Sequence, residues 1–310
     1  MTVPKKDLLS LHELSSDDIH WILSTAADFK KGRLAGVGTP QLFEKKSAVM
    51  IFEKPSLRTR ITFETAIFEM GGHPINLAAD TIGMGKRETV ADIARNLEKW
   101  VHCIIARTYH HDTVEKLARF SSIPVINALT DLYHPCQALA FAQTLFEKKT
   151  HTEMADVVFI GDANNVCNSI MVLCAKLGMN FTIVCPEKYS PDVSVLESCR
   201  EYARKNGSEI NVTRDIAAAV KNATAIYTDV WASMGQETEA EQRKKDFMPY
   251  QVNSAVIAAA PEGVLVSHCL PAHRGEEITS DVLDSENSIA FTEAENRLHV
   301  QKAAIAYLFS

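Results

Sequence analysis

The chain has 310 residues, 46% of them hydrophobic and 23% charged, and its 32 Lys and Arg against 39 Asp and Glu leave a net charge of −7. That length predicts two domains, and the composition excludes a long disordered tail or a fibrous repeat. The acidic balance excludes a broad basic face for nucleic acid or an anionic membrane, so that only local anion sites remain.

The first eighteen residues meet acids before any apolar core forms, unlike a secretory signal. No apolar run approaches the ~20 residues that a membrane-spanning helix needs. Continuously apolar strands are predicted at 48–52, 101–105, 124–126, 157–160, 181–184, 225–227 and 264–266. Runs of this kind suit strands buried on both faces. Segments of helical spacing lie between them, among them 92–100 and 165–177, the latter stopped by Gly178. Strand–helix alternation predicts parallel sheets with right-handed crossovers. The polar stretch 147–153 is the expected domain boundary, giving domains 1–148 and 149–310. A final helix at 294–308 is free to fold back on the first domain. The fold class is α/β with two doubly wound parallel-sheet domains, in which ligands bind beyond the carboxyl ends of the strands.

The strand ending near Phe52 is followed by Glu53-Lys-Pro-Ser-Leu-Arg-Thr-Arg60 and then by an apolar-periodic segment stopped at Gly71-Gly72. Pro55 halts the strand and Ser56 can cap a helix, whose first amides then face solvent at the positive end of the helix dipole. With Arg58 and the hydroxyls of Ser56 and Thr59, this suits a small phosphate-bearing ligand. It is not a Walker A loop, because Gly85-Lys86 is followed by Arg87. Nor does Gly161-Asp-Ala-Asn-Asn-Val-Cys167 fit G-x-G-x-x-G, since the second and third glycines are missing.

The seven cysteines, Cys103, Cys136, Cys167, Cys174, Cys185, Cys199 and Cys269, are dispersed without a CxxC pair. That predicts reduced thiols in a cytoplasm, without a disulfide framework or structural zinc. His268, Cys269 and His273 lack a fourth ligand at zinc spacing, so no metal is expected. Taken alone, His134 reads as a structural histidine and Cys269 as a small buried hydrophobe. Trp231 and Met234 lie just past a strand end beside Asp229, the position of a ligand loop. His110-His111 and the run Arg243-Lys-Lys245 read as solvated surface.

Ser56-Leu-Arg-Thr-Arg60 together with His134-Pro-Cys-Gln137 resembles the carbamoyltransferases, the family of aspartate and ornithine enzymes. Three further segments resemble its ornithine branch: Gly161-Asp-Ala-Asn-Asn-Val-Cys-Asn168, Asp229-Val-Trp-Ala-Ser-Met-Gly235 and His268-Cys-Leu-Pro-Ala-His-Arg274. Ala294-Glu-Asn-Arg-Leu-His299 is similar to the family's closing helix, so the likeness runs in family order from residue 56 to 299.

The resemblance implies transfer of the carbamoyl group of carbamoyl phosphate to L-ornithine, giving L-citrulline and phosphate, with no metal or organic cofactor. It implies a homotrimer with active sites between subunits. Carried over by position, Ser56, Leu57 through its backbone, Arg58, Thr59 and Arg107 would hold the phosphate. His134 and Gln137, with Pro135 and Cys136 between them, would meet the carbamoyl group, and Arg297 would reach it from the last helix. Asn165, Asp229, Ser233 and Met234 would bind ornithine. Cys269 and the Leu270 backbone would line the junction of the two substrates. Two positions depart from the family pattern. Leu57 stands where many members have Thr, and Gly83 stands where ornithine enzymes often send a Gln or His to a neighbouring subunit. Lys86 falls nearer the lysine that aspartate enzymes send across that interface.

Elementary chemistry fits this implication. Negative charge grows on the departing phosphate, where arginines and a helix N-terminus stabilise it. His134 or Arg107 could donate to the carbamoyl oxygen, and Gln137 could accept from its NH₂ group. The δ-ammonium must lose a proton first, and Asp229 and Cys269 are the groups placed to take part. Rival readings keep the reaction with putrescine, an acetylated ornithine or aspartate, or make the chain a non-catalytic sensor or a nicotinamide dehydrogenase.

Overall fold

The computed structural model describes residues 6–149, 155–232 and 237–310. The chain divides into two compact units, Met1–Gln143 with Glu295–Ser310, and Thr144–Ala294. The division therefore falls inside the helix Pro135–Lys148, where the sequence suggested the polar stretch that follows it. Residues 295–310 group with the first unit.

The first unit holds the parallel strands β1 (Ser47–Phe52), β2 (His73–Ala78), β3 (Cys103–Arg107) and β4 (Val125–Leu129), in the order β2-β1-β3-β4. Winding passes from β1 outward to β2, then returns across β1 to β3, so its direction reverses between β1 and β3. Val49, Ile51, Ile104, Ala106 and Val125 are buried with Ile93, Leu97, Val114 and Leu117 from the covering helices. The outer edge of β4 is occupied by the N-terminal segment, whose Leu8 N–H donates to Val125 O and whose Leu8 O accepts from Asn127 N. The helices Ser16–Leu34 and Ala290–Leu308 contribute Trp21 and Tyr307, with ring centroids 5.8 Å apart. Lys302, fully buried, donates to Glu69 and, at 2.8 Å, to Thr39 Oγ1.

The second unit holds β5 (Asp156–Ile160), β6 (Asn180–Val184), β7 (Ile210–Thr213), β8 (Ala225–Thr228) and β9 (Leu265–His268), all parallel, in the order β7-β6-β5-β8-β9. Its winding reverses between β5 and β8. Val158, Ile160, Ile226 and Val266 form the centre of one core layer, with Val252, Ile278 and Leu283 packed on them.

The two-sheet architecture follows the sequence expectation, and the helix Asn165–Leu177 ends at Gly178 as its spacing predicted. Two strands escape sequence reading. β2 and β7 are edge strands with mixed polarity, containing His73 and Asn76 in one and Asn211 and Thr213 in the other. An edge strand needs no continuous apolar run, so that signal is missing there.

Gly178 caps its helix in the left-handed region, φ 72°, and a Cβ there would meet Asn206 O at 2.9 Å. Gly207 caps the helix Val193–Asn206 at φ 76°, with nothing within 4 Å of an added Cβ. Gly207→Ala should cost about 1–2 kcal/mol, the left-handed penalty alone. Gly178→Ala should cost ~3 kcal/mol, because the backbone of the neighbouring helix must also move. Urea unfolding of both variants checks the ordering; equal costs would contradict the close approach.

Candidate active site

In each unit the reactive side chains collect where the winding reverses, and the two groups are described in turn. In the first unit, Glu53-Lys54-Pro55 leads from β1 to Ser56, the N-cap of the helix Leu57–Glu69. Ser56 Oγ accepts from Thr59 N at 3.2 Å, satisfying one of the four amides that a first turn leaves over. The first turn carries no Asp or Glu, so its positive end is not neutralised by its own residues. Leu57 is 74% exposed, Arg58 half-buried and Thr59 buried.

Arg107 ends β3 opposite Phe52 of β1, and the β3–β4 pairing shifts register between Ala106 and Arg107. Such an irregularity re-aims a side chain. Arg107 Nη1 donates to Ser56 Oγ at 3.3 Å and to Thr59 Oγ1 at 3.4 Å. From the last helix, Arg297 Nη2 donates to the same Thr59 Oγ1 at 3.1 Å, while its Nη1 donates to Gln137 Oε1. Gln137 lies in the first turn of the helix Pro135–Lys148, and its N–H donates to His134 O at 3.0 Å. Pro135 opens that helix, where a missing N–H costs nothing. Seven sequence-predicted residues thus meet: Ser56, Arg58, Thr59, Arg107, His134, Gln137 and Arg297.

Electrostatics here is set by burial and by three guanidiniums. His134 is held well below the ordinary imidazole range, first by burial and then by the charges of Arg297, Arg107 and Arg58. It is therefore a neutral imidazole at physiological pH, able to donate from one nitrogen and accept at the other. Burial pushes the Cys136 thiol up to about 11, so it stays protonated and packs as an apolar group.

Gly83 and Lys86 lie in a separate turn. Gly83 ends the short helix Ala79–Ile82 at φ 64°, its O accepts from Lys86 N and Arg87 N, and an added Cβ would meet Arg87 Cβ at 2.7 Å. This conformation demands glycine locally. Lys86 is exposed.

In the second unit, β5 runs into Gly161-Asp162 and Asn164 caps the helix Asn165–Leu177. Asn164 Oδ1 accepts from Val166 N and Cys167 N at 3.0 and 3.1 Å. Those are amides a dinucleotide pyrophosphate would use, and the side chain occupies them. The other end of Asn164 donates to Asp229 Oδ2 at 2.7 Å. Asp229 follows β8 directly and is buried; its Oδ1 also accepts from Val230 N at 2.8 Å and from the Cys269 thiol at 2.7 Å. Asn165 is the first residue of the helix beside this carboxylate.

Behind Cys269 stands a fully buried pair. His268 Nδ1 accepts from Leu270 N at 2.8 Å, so its proton is on Nε2, which donates to Glu277 Oε1 at 3.0 Å. Glu277 Oε1 also accepts from His273 N at 2.6 Å. The pair holds Leu270 at φ 56°, a left-handed conformation unusual for leucine. Asp229, His268 and Cys269 bring possible ligand atoms within 4.8 Å of one another, but both nitrogens of His268 are already engaged. That leaves a carboxylate and a thiol, a poor set for zinc.

Ser233 and Met234 lie outside the described residues. Three sequence readings need correction. Trp231 does lie on the loop after β8, but its side chain belongs to the core: it is buried, with its ring 6.1 Å from Phe247, in a cluster that includes Tyr189. Arg243 is not solvated but 6% exposed, and His111 is only partly exposed, its Nδ1 at 3.0 Å from Thr130 Oγ1. Sequence reasoning also passed over Asn164, Asp162 and Glu277. The helix-cap spacing could have found Asn164; nothing local marks the other two.

The chain is similar to known proteins over nearly its whole length. Residues 6–147 match a family model described as aspartate/ornithine carbamoyltransferase, carbamoyl-P binding domain, and residues 153–308 match its Asp/Orn binding domain. The ornithine carbamoyltransferase of Methanosarcina mazei is 50% identical, over 98% of this chain and 99% of that protein. A Pyrococcus furiosus protein named ornithine carbamoyltransferase, anabolic, is 47% identical over 97% of this chain and 95% of its own. A solved ornithine carbamoyltransferase from Pyrococcus furiosus superposes with a TM-score of 0.94 at 46% identity, covering 99% of this chain and 97% of the other. The chain belongs to the aspartate/ornithine carbamoyltransferase family.

Proposed function

We propose that the chain is an ornithine carbamoyltransferase, moving the carbamoyl group of carbamoyl phosphate to the δ-amine of L-ornithine in the biosynthetic direction. The single observation that carries this reading is the Asp229 carboxylate, buried beside Asn164 and bonded to the Cys269 thiol. A buried carboxylate with a thiol at its side suits ornithine, with its two ammonium groups, better than aspartate, which brings two carboxylates of its own.

The neutral δ-nitrogen attacks the carbamoyl carbon, the bond from that carbon to the phosphate oxygen breaks, and phosphate departs with the electron pair. One proton leaves the ammonium to solvent before attack; a second leaves the same nitrogen once the C–N bond has formed and goes to the departing phosphate. Ser56, the Leu57 amide, Arg58, Thr59 and Arg107 hold the phosphate, and the helix N-terminus adds its dipole where charge grows. Neutral His134 donates to the carbamoyl oxygen without carrying charge of its own into the site. Arg297 aligns Gln137, whose amide meets the carbamoyl NH₂, and Pro135 and Cys136 fill the space behind it. Asn165, Asp229, Ser233 and Met234 hold ornithine, with Cys269 and the Leu270 backbone at the reacting end.

A homotrimer fits the same reading. Leu57, Ile61 and Phe68 form an exposed apolar stripe on the helix Leu57–Glu69, at 74%, 51% and 73% exposure. Sedimentation equilibrium should give three times the 34.3 kDa of the chain. Among the described residues no helix is long and apolar enough to cross a membrane. Among the described residues no disulfide joins the cysteines, which are mostly buried, as suits a cytoplasmic enzyme.

Citrulline and phosphate should form from carbamoyl phosphate with L-ornithine, while putrescine, N-acetylornithine and aspartate run in parallel should give no carbamoylated product and no added phosphate release. Turnover with another amine alone would overturn the assignment of the second unit. Arg58→Ala should lower kcat/KM roughly 10- to 100-fold or more, the value of a lost charge-assisted bond of ~1.5–3 kcal/mol. A folded variant with unchanged kcat/KM would remove Arg58 from the phosphate site. With ornithine varied, kcat/KM should climb with pH until the amine is free near ~10. A flat profile would contradict attack by a free amine.

A further inference from the structure

The buried ion pair of the second unit takes no part in the chemistry above. Arg243 sits on the helix Ala240–Phe247, and its Nη1 donates both to Asp162 Oδ2 at 2.9 Å and to Trp231 O at 2.9 Å. Its Nε donates to Glu239 Oε2 at 3.3 Å, and the guanidinium lies 4.7 Å from the Tyr189 ring centroid. Asp162 is two residues before Asn164 on the loop after β5, and Trp231 two residues after Asp229 on the loop after β8. These loops are the pair joined directly by the Asn164–Asp229 hydrogen bond.

Resting on the ornithine reading, we propose that Arg243 is a positioning residue, a buried clamp that ties the β5 and β8 loops together and holds Asn164 and Asp229 in register for the amine substrate. Packing alone does not require it. The helix is already anchored by Phe247 against Trp231 and Tyr189, with centroids at 6.1 and 4.6 Å. A planar guanidinium can meet acceptors on two loops while stacking on an aromatic ring; an ammonium supplies charge without that geometry.

The clamp is sensitive to acid. Burial, the larger effect, pushes Asp162 up to about 6 against the pull of Arg243, and the charge of Asp229 adds to the rise. Around Asp162 stand Arg243, Asp229, Cys167 and Cys185, while Glu239 and Tyr189 face Arg243 from its other side. As pH falls through about 6, Asp162 gains a proton and Arg243 loses its buried counter-charge.

The test is citrulline formation by the full chain and by Arg243→Gln, Arg243→Lys and Asp162→Asn, with each substrate varied in turn. Arg243→Gln should raise the KM for ornithine about 10-fold or more, while the KM for carbamoyl phosphate stays within roughly two-fold. Arg243→Lys should recover part of the loss. Asp162→Asn should raise the ornithine KM and remove the extra loss that the wild type shows below about pH 6, leaving only the slope of the substrate amine that both share. An unchanged ornithine KM in folded Arg243→Gln overturns the clamp, as does an equal rise for both substrates. If Arg243→Gln does not fold, Asp162→Asn decides: wild-type ornithine KM and pH profile overturn the clamp. A wild-type chain that makes no citrulline from ornithine overturns the functional reading and the clamp together. A citrulline-forming chain whose variants keep their ornithine KM overturns the clamp alone.

Discussion

Where two neighbouring parallel strands send their connections in opposite directions, no loop crosses over their carboxyl ends, and the gap between those ends is left open to a ligand. Both units depend on this constraint. In one, Ser56–Thr59 and Arg107 are brought together by the reversal between β1 and β3. In the other, Asn164 and Asp229 are brought together by the reversal between β5 and β8. Residues far apart in sequence then meet without any specialised loop, because strand register fixes where each strand stops. Phe52 pairs with Arg107 and Ile160 with Thr228, so the loops that carry the candidate site residues begin level with one another.

The two sites carry opposite charge inside a protein of net charge −7. In the first unit, burial first and then the charges of Arg297, Arg107 and Arg58 keep the His134 imidazole neutral. Their field is short-ranged and local, so it needs no basic surface. In the second unit a buried carboxylate accepts from an amide, a thiol and a backbone N–H. On the functional reading proposed above, a dianion is drawn to the first and an ammonium to the second. The proposed reaction then uses the contrast, since the ammonium gives up its proton before attack while charge accumulates on the departing phosphate.

Much of this was legible in sequence, for physical reasons that also explain the failures. Interior strands β1, β3, β5 and β8 are apolar on both faces and announce themselves; the edge strands β2 and β7 do not. Ser56 and Gly178 were readable because helix ends impose local requirements on single residues. Arg107 and Arg297 were placed only through family resemblance, since nothing in their own neighbourhoods says that both reach Thr59. Arg243 was misread outright. It stands in a run of three basic residues, and such a run ordinarily faces water, but its helix turns that one residue inward while Lys244 pairs with Glu276 at 2.9 Å. Burial of a charge depends on a partner 81 positions away, which no local pattern can report.

The cost of that burial bears on why the pair is there. An ion pair kept for stability should hold its carboxylate below the usual range, since a favourable partner makes ionisation easier. Asp162 shows the reverse: burial raises it to about 6 although Arg243 is 2.9 Å away. Ionised Asp162 is therefore harder to keep in the fold than in the unfolded chain, and this cost grows as pH rises from the ordinary carboxylate value through 6. A hydrophobic pair of similar volume would often serve stability as well or better. What such a pair could not do is accept and donate along fixed directions from two loops at once. The charge sits where the loops carrying Asn164 and Asp229 must keep their spacing, and there a directional contact is worth more than a stable one.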